Sequence, residues 1–330
     1  MLPPKPLLSS WFAGSAGGRG VGYALLLLWA LAAPARADVE VLTSIKPLAL
    51  IAEAVVGDHG RVSHLLPPNA SPHDYPLKVS DMQRLEQADL VLWVGEELET
   101  FLRRPLGNLP EDRRMTLIDL PTLHWPDREE AHEGHGHETD HSDGHHHDHG
   151  GRDPHLWLNP ENGRGIATAL AERLAVLAPA QAEGFRARAA ALAEVLEALD
   201  QRLESRLHPL RERPFAVYHE GYSHFVSHYH LNQVASVTLS PERRPGARHL
   251  YELRQQLQGA VCLFTEPYYD MSSARSLADE LDLKLGELDL LGATESTDTY
   301  PELLEALGEA VAVYEKLKAG QIAGRAVLVP

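Results

Sequence analysis

Nineteen of the 330 residues are histidine, and imidazole is the side chain that both ligates metals and titrates near neutral pH. Eight of them crowd one stretch: His132, His135, His137, His141, His145, His146, His147 and His149. Three others stand apart, each at or beyond the end of an expected strand. His73 lies in PNASPHDY, His155 in DPHLWLNP, and His219 closes FAVYH. Asp289 closes KLGELD in the same way, and Glu266 stands in FTEPYY. In open α/β sheets the ligand crevice lies outside the carboxyl ends of the strands, so side chains 82, 64 and 70 residues apart can meet in one cleft. Three imidazoles and a carboxylate form a good donor set for a tetrahedral divalent ion. Glu266 is either a fifth neighbour of that set or a group that orients one of its ligands.

Each of these residues has a bland reading beside the sharp one. A single histidine at a strand end is more often an ordinary core or surface residue than a ligand. Three in matching positions reverse that balance. His219-Glu220 followed by His224 imitates the H-E-x-x-H metalloprotease motif, but its second histidine falls at i+5, on a different helix face. His224 and His228, at i and i+4, could hold a metal on a helix surface but read rather as exposed polar residues. No G-x-S-x-G, P-loop or G-x-G-x-x-G is present. The eight clustered histidines sit in a segment, 126–153, that is dominated by acidic, histidine and glycine residues and cannot bury a core. It reads as a surface loop that binds zinc weakly and raises its local concentration near the cleft, with a solvated insertion of no role as the alternative.

The elements that must position these residues alternate. Val39–Ser44, Val62–Leu66 and Leu90–Val94 read as strands, with helices over Pro47–Val56 and Ser80–Gln87. From Pro160 the chain is rich in Ala, Leu, Glu and Arg; one helix opens there, Pro179 punctuates it, and a second runs from about Ala180 to Leu207. Leu192, Val195, Leu196, Leu203 and Leu207 supply its apolar stripe. Strands follow at Phe215–Tyr218, Ala260–Thr265 and Lys284–Leu288, with helices at Gly221–His230, Leu250–Leu257, Ser272–Leu281 and Tyr300–Leu317. The expected fold is α/β: two lobes, each with a mostly parallel sheet flanked by helices, on either side of one long helix. The expected boundaries are a leader at 1–37, an N-terminal lobe at 38–179, the linking helix at 180–208 and a C-terminal lobe at 209–330. No internal sequence repeat relates the lobes.

Lys5 and Arg19 precede the apolar run Val21–Ala33, and Ala35-Arg36-Ala37 offers a cleavage site, the pattern of a secretory signal peptide. Thirteen apolar residues are too few to span a hydrocarbon core about 30 Å thick. A mature periplasmic chain from near Asp38, without membrane insertion, is expected. Removing three basic and no acidic residues shifts the formal charge from −17 to −20, which argues against nucleic acid as a partner. The one cysteine, Cys262, permits no internal disulfide and reads as a small buried hydrophobe.

NASPHDYPLKVSD, LVLWVGEELETF, DPHLWLNPE, YHEGY, PGARHLYELRQQL, LFTEP and GELDLLG, in this order, resemble the metal-binding proteins of ABC-type importers, and most of all their zinc branch. The resemblance covers Val39 to about Leu317. It implies two lobes rigidly joined by a long helix, a membrane ABC permease as partner, Zn²⁺ as transported ligand, no catalysis, and a monomeric carrier. It implies that His73, His155 and His219 are zinc ligands, and that Asp289 matches an aspartate that ligates metal in manganese-type relatives and sits close by in the zinc branch. Manganese-type members carry Glu where His219 stands, and imidazole shifts the preference toward zinc. Zinc-branch proteins often carry a disulfide in the C-terminal lobe; Cys262 has no partner for one. The rival readings are a manganese or iron carrier of the same fold, a secreted zinc hydrolase using Glu266 or Asp289 as base, and a zinc buffer acting through the loop alone.

Overall fold

Val39–Thr43 (VEVLT) is β-branched and almost wholly buried, as a central strand covered on both faces must be. It forms β1 of the computed structural model, which describes residues 38–126, 152–238, 246–257, 259–260, 262–269, 272–293 and 297–313. The expected leader, the histidine-rich segment from 127 to 151, and residues beyond 313 lie outside these. On one side β1 pairs with β2 (Gly60–His64), on the other with β3 (Leu90–Trp93), which pairs in turn with β4 (Arg114–Thr116). All pairings are parallel, in the order β2-β1-β3-β4.

A second parallel sheet repeats that order. Its centre is β5 (Phe215–His219), buried at every residue, flanked by β6 (Gln233–Thr238) and β7 (Cys262–Thr265), with β8 (Lys284–Glu287) beyond β7. The two sheets are thus topological copies without a visible sequence repeat. Cys262 faces a fully buried environment, and burial pushes its thiol up to about 12, so it is inert.

Two strands escaped the sequence reading, and both are at sheet edges. β4 (RMT) and β6 (QVASVT) are partly exposed and carry polar residues, so neither shows the apolar run that marks β3 or β5. β2 also begins earlier than expected, at Gly60, because its register starts opposite Val39.

Apart from one short helix at Arg103–Gly107, the helices fall close to where periodicity places them. α1 (Lys46–Val56) starts with Pro47 in its first turn and stops at Gly57, whose φ of 52° is left-handed. α2 (Val79–Gln87) and the short α3 (Arg103–Gly107) complete the first half. α4 (Pro160–Leu177) is capped by Asn159, whose side chain accepts from the Glu161 amide at 2.8 Å. A turn at Pro179–Gln181 leads into α5 (Ala182–Leu207), whose 26 residues span about 39 Å. α4 and α5 pack against each other as a hairpin. The buried face of α5 is Phe185, Ala189, Leu192, Leu196, Leu199, Leu203 and Leu207. Val195 is half-exposed: it lies one residue, some 100° of helix rotation, from the 192–196–199–203 line.

α6 (Ser223–Tyr229), α7 (Ala247–Gln256) and α8 (Ser272–Leu281) belong to the second sheet. α9 (Tyr300–Ala312) opens with a capping box: Thr299 Oγ1 accepts from the Glu302 amide, and a Glu302 carboxylate oxygen accepts from the Thr299 amide. It returns to α5, where Gly308 lies so close to Leu203 that an added Cβ would push its side chain aside. One continuous apolar cluster includes residues of β1 and β3, the α4–α5 hairpin, and Phe215, Val217 and Phe264 of the second sheet. A smaller cluster joins Tyr218, Val237 and Leu263 to α7 and α8. No helix among the described residues is long and apolar enough to cross a membrane.

Candidate metal centre

One strand end and two loops position the histidines. His219 is the last residue of β5; His155 follows the expected loop and immediately precedes a single turn at Leu156–Leu158; His73 sits in the loop after β2, its amide donating to Ser71 Oγ. The three rings converge. Their centroids are 5.3 Å (73–155), 5.1 Å (73–219) and 5.0 Å (155–219) apart, and one nitrogen from each lies within 4.8 Å of the other two. His155 and His219 are 1% exposed and His73 is partly buried.

The orientation of His155 is set locally. Its Nδ1–H donates to Asp153 Oδ1 at 2.7 Å, which leaves Nε2 buried and without a hydrogen bond. His219 has no hydrogen bond at either ring nitrogen, although both are buried; Nδ1 lies 3.5 Å from Glu266 Oε1. Glu266 is fully buried and accepts from Tyr222 Oη at 2.9 Å. Burial and the Glu266 carboxylate hold the Tyr222 phenol well above its ordinary value, so it remains a donor. Burial alone would raise the Asp153 carboxyl, but His155, with its hydrogen bond, His224 and Ser223 outweigh it and hold the group well below the usual carboxylate range. Asp289 stays outside the converging nitrogens; its Oδ1 accepts from the Leu291 amide at 3.2 Å, and its field reaches Tyr222 and Tyr268.

Two further residues shape the site and carried no signal in the sequence reading. A Cβ at Gly221 would lie 2.8 Å from His219 Cε1 and 3.0 Å from His155 Cε1, so the glycine backbone forms a wall against both rings. Asp153 belongs to the D-P-H motif, but its role depends on Ser223, seventy residues away. The reading of His224 and His228 as exposed is corrected. His224 is 1% exposed: Nε2 lies 3.0 Å from the Asp153 carbonyl and Nδ1 3.4 Å from Asn162 Nδ2. Burial lowers its pKa. His228 packs on Tyr229 and meets Asp200 at 2.8 Å. Helical spacing placed both on one face correctly, but that face turns inward against α4 and α5.

A tetrahedral zinc site, with Zn–N near 2.0–2.1 Å, needs nitrogens about 3.4 Å apart, so these three, within 4.8 Å of one another, would close by at most about 1.4 Å around the ion. Residues 41–313 match the family model of the periplasmic zinc-uptake complex component A, ZnuA. The chain belongs to this family. It is 35% identical over 286 residues to the high-affinity zinc uptake system protein ZnuA of Yersinia pestis, covering 82% of this chain and 89% of that one. Among solved structures it is similar to a ZnuA deletion mutant with zinc bound (TM-score 0.67, 26% identity, 83% and 97% of the two chains). It shares the fold of the periplasmic zinc-binding protein TroA of Treponema pallidum (TM-score 0.70, 21% identity, 84% and 99% covered). ZnuA proteins are binding components of an uptake complex, so the hydrolase reading has no support within the family.

Proposed function

We propose that this chain captures Zn²⁺ in the periplasm and delivers it to an ABC-type import permease, without catalysis. The observation that carries this reading is the convergence of His73, His155 and His219, with the buried Nε2 of His155 and both ring nitrogens of His219 lacking hydrogen bonds. In this reading the three imidazoles replace most of the hydration shell, and Asp289 or a water completes a roughly tetrahedral set. Three neutral nitrogen donors favour zinc over manganese, which prefers oxygen. The linking helix α5 restrains closure of the halves, and release follows local movement of the loops on docking. The segment 127–151, with its eight histidines, concentrates zinc beside the cleft. The working chain starts near Asp38 and is a monomer.

The test is a competition titration of the purified mature protein with zinc and manganese. Wild type and a deletion of 127–151 are expected to hold one zinc tightly and manganese weakly, and His219→Ala to lose the tight site. Tight manganese, or loss of tight zinc on deleting the segment alone, would overturn the reading.

A further inference from the structure

His155 has a ring nitrogen anchored by a strong hydrogen bond to a carboxylate, and that carboxylate does more than hold a ring. Asp153 Oδ1 accepts from both the His155 amide (3.0 Å) and His155 Nδ1 (2.7 Å). Asp153 Oδ2 accepts from the Ser223 amide (3.1 Å) and the Ser223 hydroxyl (2.5 Å), at the start of α6 and four residues beyond His219. Its own carbonyl lies 3.0 Å from His224 Nε2, and the other ring nitrogen of His224 faces Asn162, which also binds the Leu156 carbonyl and both backbone polar groups of His124. Both carboxylate oxygens and the carbonyl are therefore engaged, and the partners come from two segments of chain that each carry an imidazole of the centre.

We propose that Asp153 is the positioning residue of the metal centre: it fixes His155 as the Nδ1–H tautomer with the Nε2 lone pair facing the cleft, and by gripping Ser223 it sets His155 against the segment that carries His219. The proposal rests on the reading of His73, His155 and His219 as the zinc site. A merely structural aspartate would cap the turn at Ser223 whichever tautomer His155 adopted. The tautomer matters because a metal takes only a ring nitrogen that carries a lone pair, and a wrongly placed proton must leave before zinc can bind.

Long-range ¹⁵N–¹H correlation NMR on the zinc-free wild-type protein reads the tautomer directly. It is expected to show His155 protonated at Nδ1, and Asp153→Asn is expected to populate the Nε2–H form and raise the zinc Kd by about ten- to a hundredfold. Ser223→Ala, which keeps the Asp153–His155 bond, is expected to leave the tautomer unchanged and raise the Kd only a few-fold. An Nε2–H tautomer in wild type overturns the proposal, and that measurement needs no variant to fold. So does an Asp153→Asn protein whose tautomer and zinc Kd match wild type. Failure of the wild type to bind zinc tightly while His155 shows the Nδ1–H form would instead sink the zinc-site reading and leave the Asp153–His155 pairing standing.

Discussion

A buried imidazole with no hydrogen bond at either nitrogen is an expensive group, because desolvation removes water from polar atoms that gain nothing in return. His219 carries that cost, and it lies 5.0 Å from a second buried ring whose Nε2 is equally bare. Glu266, 3.5 Å from His219 Nδ1, supplies the negative field that makes a cation welcome there. The room for these rings depends on Gly221. Gly221→Ala places a methyl within about 3 Å of both, so His155 and His219 must shift by a few tenths of an ångström. The expected outcome is a rise of tenfold or more in zinc Kd by chelator competition, with an unchanged far-UV spectrum; wild-type affinity would show that the rings have slack. His73, His155 and His219 were legible as candidates because each stands in a short motif of its own, although only His219 closes a strand. Gly221 and Asp153 were not, because their roles exist only where two distant segments touch.

At the scale of the element, the central strands and the amphipathic helices were legible because burial writes their pattern into consecutive residues. The edge strands β4 and β6 were not, because an edge strand is half solvated and needs no apolar run. One element-level group has a consequence for stability. Glu99, beyond the end of β3, is fully buried; one carboxylate oxygen accepts from the Gly95 amide at 3.1 Å and the other has no hydrogen bond. Burial pushes its carboxyl up to about 7, against the opposing influence of the neighbouring Ser44, Gly95 and Val94. A raised carboxyl favours the folded state most where the unfolded chain is also protonated, below about pH 4.5, and that advantage is lost as pH rises to about 7. Glu99→Gln removes the proton uptake. Its unfolding free energy is expected to match wild type near pH 4.5 and to exceed it by up to roughly 3 kcal/mol at pH 8. Urea titrations at the two pH values check this, and an equal difference at both would refute it. Packing gives a contrast: Leu203→Ala, under Gly308 at the α5–α9 contact, is expected to cost about 2–5 kcal/mol at any pH in the same titrations.

Over the whole molecule, the candidate metal centre draws on both halves of the chain. His73 and His155 come from the part that precedes the α4–α5 hairpin and His219 from the part that follows it, while Lys46 at the start of α1 donates to the Gly292 carbonyl at 2.6 Å, only three residues past Asp289. An ion held by all three imidazoles therefore ties the halves together, and its binding free energy adds to that of folding. With free zinc at a hundred times the Kd, the gain is about 2.7 kcal/mol. For a chain of this size that corresponds to a rise of roughly 5 °C in the unfolding midpoint. Each ligand must be neutral to bind, so protons compete with the metal. The shift is expected to be full at pH 7.5, to shrink below about pH 6, and to be nearly absent at pH 5. Scanning calorimetry of the chain without residues 127–151 isolates the cleft from the clustered histidines. A zinc-induced shift that persists at pH 5, or that vanishes with those residues at pH 7.5, would mean that the stabilising ion is held somewhere other than between His73, His155 and His219.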